Sequence, residues 1–269
     1  MCVSGSGTMS MRRYNGVFVI SREPPRCRLS VRGGPDAPFQ MSRNPFANGP
    51  RSVFEDGLPE QVQAVIEAIE TDVIRSRILP RTRLIEDHLM EDYNAKRHVV
   101  RAALLELQRL GVVVKPPHVG AQIRRFDEQE LDDLYRMRSV LHHAAVAMIR
   151  LPLPPGRFAL LEATMRAHAD AAASGDLIAI HRTNMAFHRE LYGLCDNPYL
   201  ADSIRLHDWI SFPVRAYGVA DAGALEQACR EHADMVEAVR NADRERLDWL
   251  SQAHMERARS IYVKKFLVR

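Results

Sequence analysis

The sequence predicts a mainly α-helical protein with two folded parts, and three observations carry that expectation. Apolar residues recur at three- and four-residue steps from Pro59 nearly to the C-terminus. Beyond Pro59, strand candidates are confined to residues 112–114 and 121–123, either side of a Pro-Pro-His-Val-Gly turn. Basic residues gather around one helix, while the rest of the chain after the N-terminal segment is slightly acidic. With 269 residues, 46% hydrophobic and 26% charged, the chain is long enough for two cores. The expected architecture is a winged helix-turn-helix, three helices plus a β-hairpin wing, over residues 56–126. An all-α antiparallel bundle of about six helices follows over 127–269.

Residues 1–55 are punctuated by Gly-Ser-Gly, Pro24-Pro25, Gly33-Gly34-Pro35 and Asn48-Gly49-Pro50, with residues 17–20 as their only apolar run. They are expected to be a disordered linker extension whose arginines graze DNA phosphates at most. The alternative is that translation starts at Met41. No apolar run approaches the ~20 residues of a membrane span, and residues 1–10 lack the features of a signal peptide. A cytoplasmic protein with no membrane partner is expected. The four cysteines, Cys2, Cys27, Cys195 and Cys229, have no paired spacing, so neither a disulfide framework nor a zinc ribbon is suggested.

Val62, Val65, Ile66, Ile69, Val73 and Ile74 mark a first helix. Leu84, Ile85, Leu89, Met90 and Tyr93 mark a shorter second one, and a polar break follows at Asn94-Ala95. The third helix carries Val100, Ala103, Leu104, Leu107 and Leu110 on one stripe and Arg97, His98 and Arg101 on another. Two helices across a short turn, the second of them basic, make the helix-turn-helix arrangement. Gly111 ends the third helix, and the two strand candidates form the wing.

Charge supports a nucleic-acid surface. From Lys96 to Arg125 there are seven basic residues and one acid, Glu106. Residues 1–54 hold eight arginines and two acids, and subtracting these from the chain's 37 basic and 34 acidic residues leaves 29 against 32. A basic patch on a slightly acidic body is the footprint of a protein that meets nucleic acid through one module. A solvated helix face of ordinary composition is the alternative.

Beyond Asp127, periodicity marks helices at roughly 128–150, 155–174, 177–194, 198–217, 221–241 and 243–265, and their short connections imply antiparallel neighbours. His181, Asn184 and His188 lie at i, i+3 and i+7, on one face of the third of these. His232 and His254 fall on the fifth and sixth, spaced as two antiparallel helices require to bring them level. Imidazoles so placed can hold a borderline metal such as Zn²⁺ or Ni²⁺. Ordinary core or surface histidines are the other reading.

The residues Arg83-Leu84-Ile85-Glu86, the run from Lys96 to Leu104, the Leu107-x-x-Leu110-Gly111 end and the wing His118-Val119-Gly120-Ala121 resemble the GntR family of bacterial transcription regulators. The family run is typically S-R-T-P-V-R-E-A-L. This chain keeps both arginines, the Val and the Ala-Leu, and departs at Lys96, His98, Val99 and Ala102; the usual Pro-Gly before the second helix is Pro80-Arg81. The resemblance implies that Arg97 and Arg101 meet DNA, flanked by Lys96 and His98, with the wing around His118 and Gly120 beside them.

Asn184-x-x-Phe187-His188, Asn197-Pro198-x-Leu200, Glu231-His232 and the distant His254 are similar to the FCD domain of FadR-type GntR regulators. There D-x-x-F-H and two later histidines hold a divalent metal beside an effector, which implies a site at Asn184, His188, His232 and His254. Arg138 matches a family arginine that faces the pocket, and with His181 it is the expected effector contact. Asn184 stands where the family has Asp, so a Zn²⁺ or Ni²⁺ site here would be weakened. The expectation is a homodimeric, ligand-responsive DNA-binding repressor, not an enzyme, with operator DNA and a small, anionic carboxylate effector as partners. A metal-dependent hydrolase using the histidines and a ligand-independent DNA-binding protein are the alternatives.

Overall fold

The computed structural model describes residues 9–14, 17–22 and 58–267. The chain divides into two units, Met1–Ala47 and Asn48–Arg269. In the first, strands β1 (Met9–Tyr14) and β2 (Val17–Arg22) pair antiparallel, with Met9 opposite Arg22 and Tyr14 opposite Val17. This corrects the strand-free extension expected over residues 1–55. The apolar run at 17–20 has a pairing partner six residues upstream, and Asn15-Gly16 between the two is the sequence signal for a two-residue hairpin connection. The remainder of that expectation lies outside the described residues.

In the second unit, α1 (Glu60–Ile74) buries Val62, Val65, Ile66, Ile69, Val73 and Ile74, all on its periodic face. The short α2 (Glu86–Asp92) follows, and Asn94, with a positive φ of 46°, turns the chain into α3 (Arg97–Arg109). The α3 stripe Val100, Ala103, Leu104 and Leu107 packs against α1, while Val99 is buried beside it. Gly111 closes the helix at φ 77°, and the amides of Gly111 and Val112 return to the carbonyls of Gln108 and Leu107. A left-handed residue with these two bonds satisfies the last-turn carbonyls, and glycine adopts it without strain. Strands β3 (Val113–Val114) and β4 (Gln122–Ile123) form the wing, which Arg83 extends through a bridge to Gln122.

The bundle comprises α4 (Glu128–Met148), α5 (Pro155–Ser174), α6 (Leu177–Gly193), α7 (Pro198–Ile210), the single turn α8 (Phe212–Arg215), α9 (Ala222–Arg240) and α10 (Arg244–Tyr262). Side chains start most of these helices: Asp127 forms a reciprocal capping box with Glu130, and Asp176, Asn197, Asp221 and Asp243 each accept a first-turn amide. The helix expected over 198–217 is instead α7, a junction at Ser211, α8 and a 3-10 turn at Ala216–Gly218. Pro213 has no N–H to continue the α7 ladder, so the chain breaks there. α10 packs on α4 and α9, α5 on α6 and α9, and α4 on α7.

Two apolar cores result. One lies wholly among the bundle helices, around Phe187, Leu191 and Met235. The other runs from α1 and α3 through Phe126 and Leu131 to Phe212, Tyr217 and Tyr262, so the winged helix and part of the bundle share it. Buried hydroxyls bond across it: Tyr217 donates to the carbonyl of Ile78 at 2.9 Å, and Tyr262 accepts from the amide of Phe126 at 3.1 Å. At its edge, a Cβ built on Gly111 would lie 3.0 Å from Cγ1 of Ile210, so the end of α3 touches the end of α7.

Candidate functional site in the basic helix and the histidine cavity

Lys96, Arg97, His98 and Arg101 are all exposed, as the face opposite the buried stripe of α3 must be. The two arginines are restrained by the start of α2. Arg97 donates to Oδ1 of Asp87 at 2.6 Å and lies 3.5 Å from Oε2 of Glu86, and Nε of Arg101 donates to the same oxygen at 2.8 Å. Exposed ion pairs of this kind contribute little to stability, about 0.2–1 kcal/mol. They hold the guanidinium groups beside the exposed helix face, where any approaching anion competes with the two carboxylates. In the wing turn His118 is exposed at φ 63° and Gly120 sits at φ 88°.

The second site is a cavity of about 110 Å³ among the bundle helices, open to solvent. His188 from α6 and His254 from α10 line it, and His232 from α9 lies fully buried behind them, the three with donor atoms within 4.8 Å of one another. Their ring centroids stand 4.8, 4.9 and 5.0 Å apart, close to an equilateral triangle. Nε2 of His188 and Nε2 of His254 are 3.1 Å apart. Two imidazole nitrogens bound to one ion at ~2.0–2.1 Å in a tetrahedron would be separated by about 3.3 Å, so the spacing fits a shared metal.

The buried polar atoms point the same way. Nδ1 of His188 and both ring nitrogens of His232 have no hydrogen-bond partner among the described residues. Burial, then the neighbouring imidazoles, drives the pKa of His188 and His232 well below the usual histidine value. Both are therefore neutral lone-pair donors at neutral pH. His254 is lowered by burial against the opposing pull of Glu231, which accepts from its Nδ1 at 2.8 Å. Although burial alone would raise Glu231, hydrogen bonds from His254, Arg257 and Gln227 hold its carboxyl down to about 2. A carboxylate on the far nitrogen of a histidine leaves the near one with its lone pair, which is how metal ligands are oriented.

Asn184 lies on the wall of this cavity, one turn before His188, as do Arg138 and His181. Arg138 is 4% exposed; one guanidinium nitrogen donates to Oδ1 of Asp208 at 2.9 Å, while Nε and Nη1 are buried without a partner. His181 is held neutral, its pKa lowered to about 3 by burial and then by Arg215 and Arg182. The structure thus brings Arg138, His181, Asn184, His188 and His254 to one cavity with His232 buried against it, and the α3 and wing candidates to the protein surface.

Sequence reasoning missed His142, His168, Asp208 and Arg215, which also line the cavity. His142 was within reach, because it follows Arg138 by four residues on one helix and so shares its face. Arg215 was hidden by the break after α7.

Residues 61–123 match the family described as bacterial regulatory proteins, gntR family, and residues 133–257 match the FCD domain; together they account for well over half of the chain. Among curated proteins the chain is 24% identical to the uncharacterized HTH-type transcriptional regulator YdhC of Bacillus subtilis over 62% of its own length and 75% of that protein's. It is 28% identical to the HTH-type transcriptional regulator McbR of Escherichia coli, over 46% of this chain and 57% of McbR. With the HTH-type transcriptional repressor NanR of Edwardsiella tarda it shares 26% identity, over 63% and 72%. Among solved structures, Escherichia coli McbR superposes with a TM-score of 0.64 at 21% identity, covering 78% of this chain and all of that one. A GntR-type putative regulator from Rhodococcus gives 0.62 at 17% identity, covering 77% and 100%.

Proposed function

The chain belongs to the GntR family of bacterial transcription regulators and carries an FCD domain, so it is a ligand-responsive DNA-binding protein rather than an enzyme; from that premise we propose how it does its work. As a cytoplasmic homodimer it represses by binding operator DNA with α3 and the wing. A small carboxylate effector enters the histidine cavity and alters that binding. The domain limits we assign are residues 56–126 for DNA and 127–269 for effector and dimerisation. Arg97 and Arg101 make the base or phosphate contacts, Lys96 and His98 flank them, and His118 and Gly120 bring the wing to the backbone or minor groove.

The observation that carries the effector reading is Arg138. Two buried guanidinium nitrogens without a partner, Nε and Nη1, are an unmet demand for an anion. His188, His232 and His254 would hold a Zn²⁺ or Ni²⁺ ion, with Asn184 beside them as a neutral and weaker donor than a carboxylate. Such an ion supplies a positive centre for an anionic ligand. His181 faces the same space as a neutral hydrogen-bonding group.

The chain's own residues offer a route from cavity to operator. An anion seated on Nε and Nη1 of Arg138 shares its charge with Asp208 of α7, which holds the third nitrogen, and so weakens that pair. Two residues on, Ile210 presses on Gly111 at the end of α3. A small displacement of α7 therefore reaches the DNA-reading helix through direct contact, and a ligand that favours one placement shifts the population.

The test is fluorescence anisotropy on DNA from the region upstream of the chain's own gene, with and without a panel of mono-, di- and tricarboxylates. A carboxylate that changes operator affinity in the wild type and not in Arg138→Met, whose affinity for DNA without ligand is unchanged, supports the reading. Equal responses in the two proteins would remove Arg138 from it.

A further inference from the structure

The converging histidines differ in what steadies them. On His254 the nitrogen facing away from the cluster donates to Glu231, so its proton is placed and Nε2 turns its lone pair into the cluster, 3.1 Å from Nε2 of His188. His232 is fully buried, and neither of its ring nitrogens has a partner among the described residues. A histidine that binds metal through one nitrogen carries a proton on the other, and that N–H requires an acceptor.

Beside His232 stands His168 of α5, with 4.9 Å between ring centroids. It is 1% exposed, and its Nε2 is also without a partner. Its tautomer follows from its other side. The hydroxyl of Thr183 donates to the carbonyl of Ala179 at 2.7 Å, so toward Nδ1 of His168, 3.2 Å away, it accepts. Nδ1 therefore holds the proton, and Nε2 presents a lone pair.

We propose that His168 is the positioning partner of His232: its Nε2 accepts the outward N–H of His232 when a divalent metal is held by His188, His232 and His254. An imidazole thus does for His232 what the Glu231 carboxylate does for His254. The two rings are not hydrogen-bonded here, and closing the contact requires His232 to reorient against Phe187, on which its ring stacks with 4.1 Å between centroids. His168 is not a fourth ligand, because among the described ring contacts it meets His232 alone of the three. The acceptor is neutral, so His232 gains orientation without added negative charge. The proposal rests on the metal reading above.

Cobalt(II) serves as the probe, read by its visible absorption bands and by competition with a chelator, for wild type, His168→Phe, His168→Leu, His168→Gln and His232→Ala. Loss of an orienting partner lowers metal affinity roughly 10–100-fold, so His168→Phe and His168→Leu are expected to bind that much more weakly with unchanged bands. His168→Gln, whose amide oxygen still accepts, should return to within about threefold of wild type. Circular dichroism and Tm identify any variant that fails to fold, and the Phe and Leu variants back one another up. Wild-type affinity in both of them overturns the proposal while leaving the metal site standing. Bands altered in the manner of His232→Ala overturn it by making His168 a ligand. No cobalt uptake by the wild type removes the metal reading, and the proposal with it.

Discussion

Nε of Arg101 donates to Oε2 of Glu86 at 2.8 Å, and the same oxygen lies 3.5 Å from Nη1 of Arg97. One carboxylate at the start of α2 thus restrains both arginines proposed to read DNA, and an operator must displace it. Replacing Glu86 by Gln removes an acid that competes with phosphate. An exposed pair contributes about 0.2–1 kcal/mol, so affinity for any duplex should rise up to roughly fivefold. Arg101→Ala or Arg97→Ala should instead lose about 1–3 kcal/mol of specific binding, with the fold intact. Gel shifts at matched salt with operator and scrambled duplexes separate these outcomes, and unchanged operator affinity in both arginine variants would move the DNA surface elsewhere.

The metal site carries a pH dependence. A proton competes with a metal for an imidazole only below that imidazole's own pKa. Burial, then neighbouring cationic groups, lowers His188 and His232 well below 6.5. Bound Zn²⁺ should therefore persist as pH falls through 6.5 and be released at a lower pH, contrary to what unperturbed histidines would give. Asn184→Asp should tighten binding by restoring an anionic donor, and His188→Ala or His232→Ala should abolish it. Metal content after dialysis at a series of pH values measures all four proteins.

Glu70, on α1, gives a stability signature. Its pKa is pushed up to about 7 from 4.5 by burial and then by Glu67, against the opposing pull of Arg182. A carboxyl whose folded pKa is raised binds its proton more tightly when folded. The stability this contributes is full below pH 4.5 and is lost as pH rises through 7. The side chain is half-buried, so screening reduces the effect to on the order of 1 kcal/mol. Glu70→Gln should be more stable than wild type at pH 8, and the gap should close toward pH 5, as followed by urea unfolding.

Arg81 occupies the left-handed region at φ 67°, at the position where the resemblance to the GntR family implies a glycine. A side chain there costs roughly 1–2 kcal/mol, partly offset by the ~0.5–1 kcal/mol of extra chain entropy that glycine brings. Arg81→Gly should stabilise the winged helix by about 0.5–1 kcal/mol, visible as a small rise in Tm. A fall would mean that the arginine side chain makes contacts that outweigh the strain.

The parts of this fold that were legible in the sequence are those fixed by local periodicity. The α1 stripe, the two-sided α3 and the long bundle helices each announce which face is buried, because a 3.6-residue repeat leaves no other arrangement. The break at Pro213 was legible in principle but was overridden by the apolar run continuing through it. The β1–β2 hairpin was signalled by Asn15-Gly16 alone. The histidine cluster depended on convergence: spacing put His188 on one face with Asn184 and brought His232 level with His254, but only the family resemblance joined the three, which come from three helices. Nothing local to His168, Asp208 or Arg215 marks them. Their placement follows from how α5, α7 and α8 pack, which no single stretch encodes.

The apolar core shared by the two halves bears on any attempt to recombine them. Phe126 at the end of the wing meets Tyr262 edge-on, 6.5 Å between centroids, and Arg125 donates to the carbonyl of Phe266 at 2.9 Å. The C-terminal residues 262–267 therefore complete the underside of the DNA-reading module, although some 136 positions separate Phe126 from Tyr262. A chimera that grafts this sensor onto a foreign winged helix at residue 126 would set this chain's tail against a surface it does not match. A graft that exchanges Tyr262, Phe266 and their neighbours with the module would keep the seam closed.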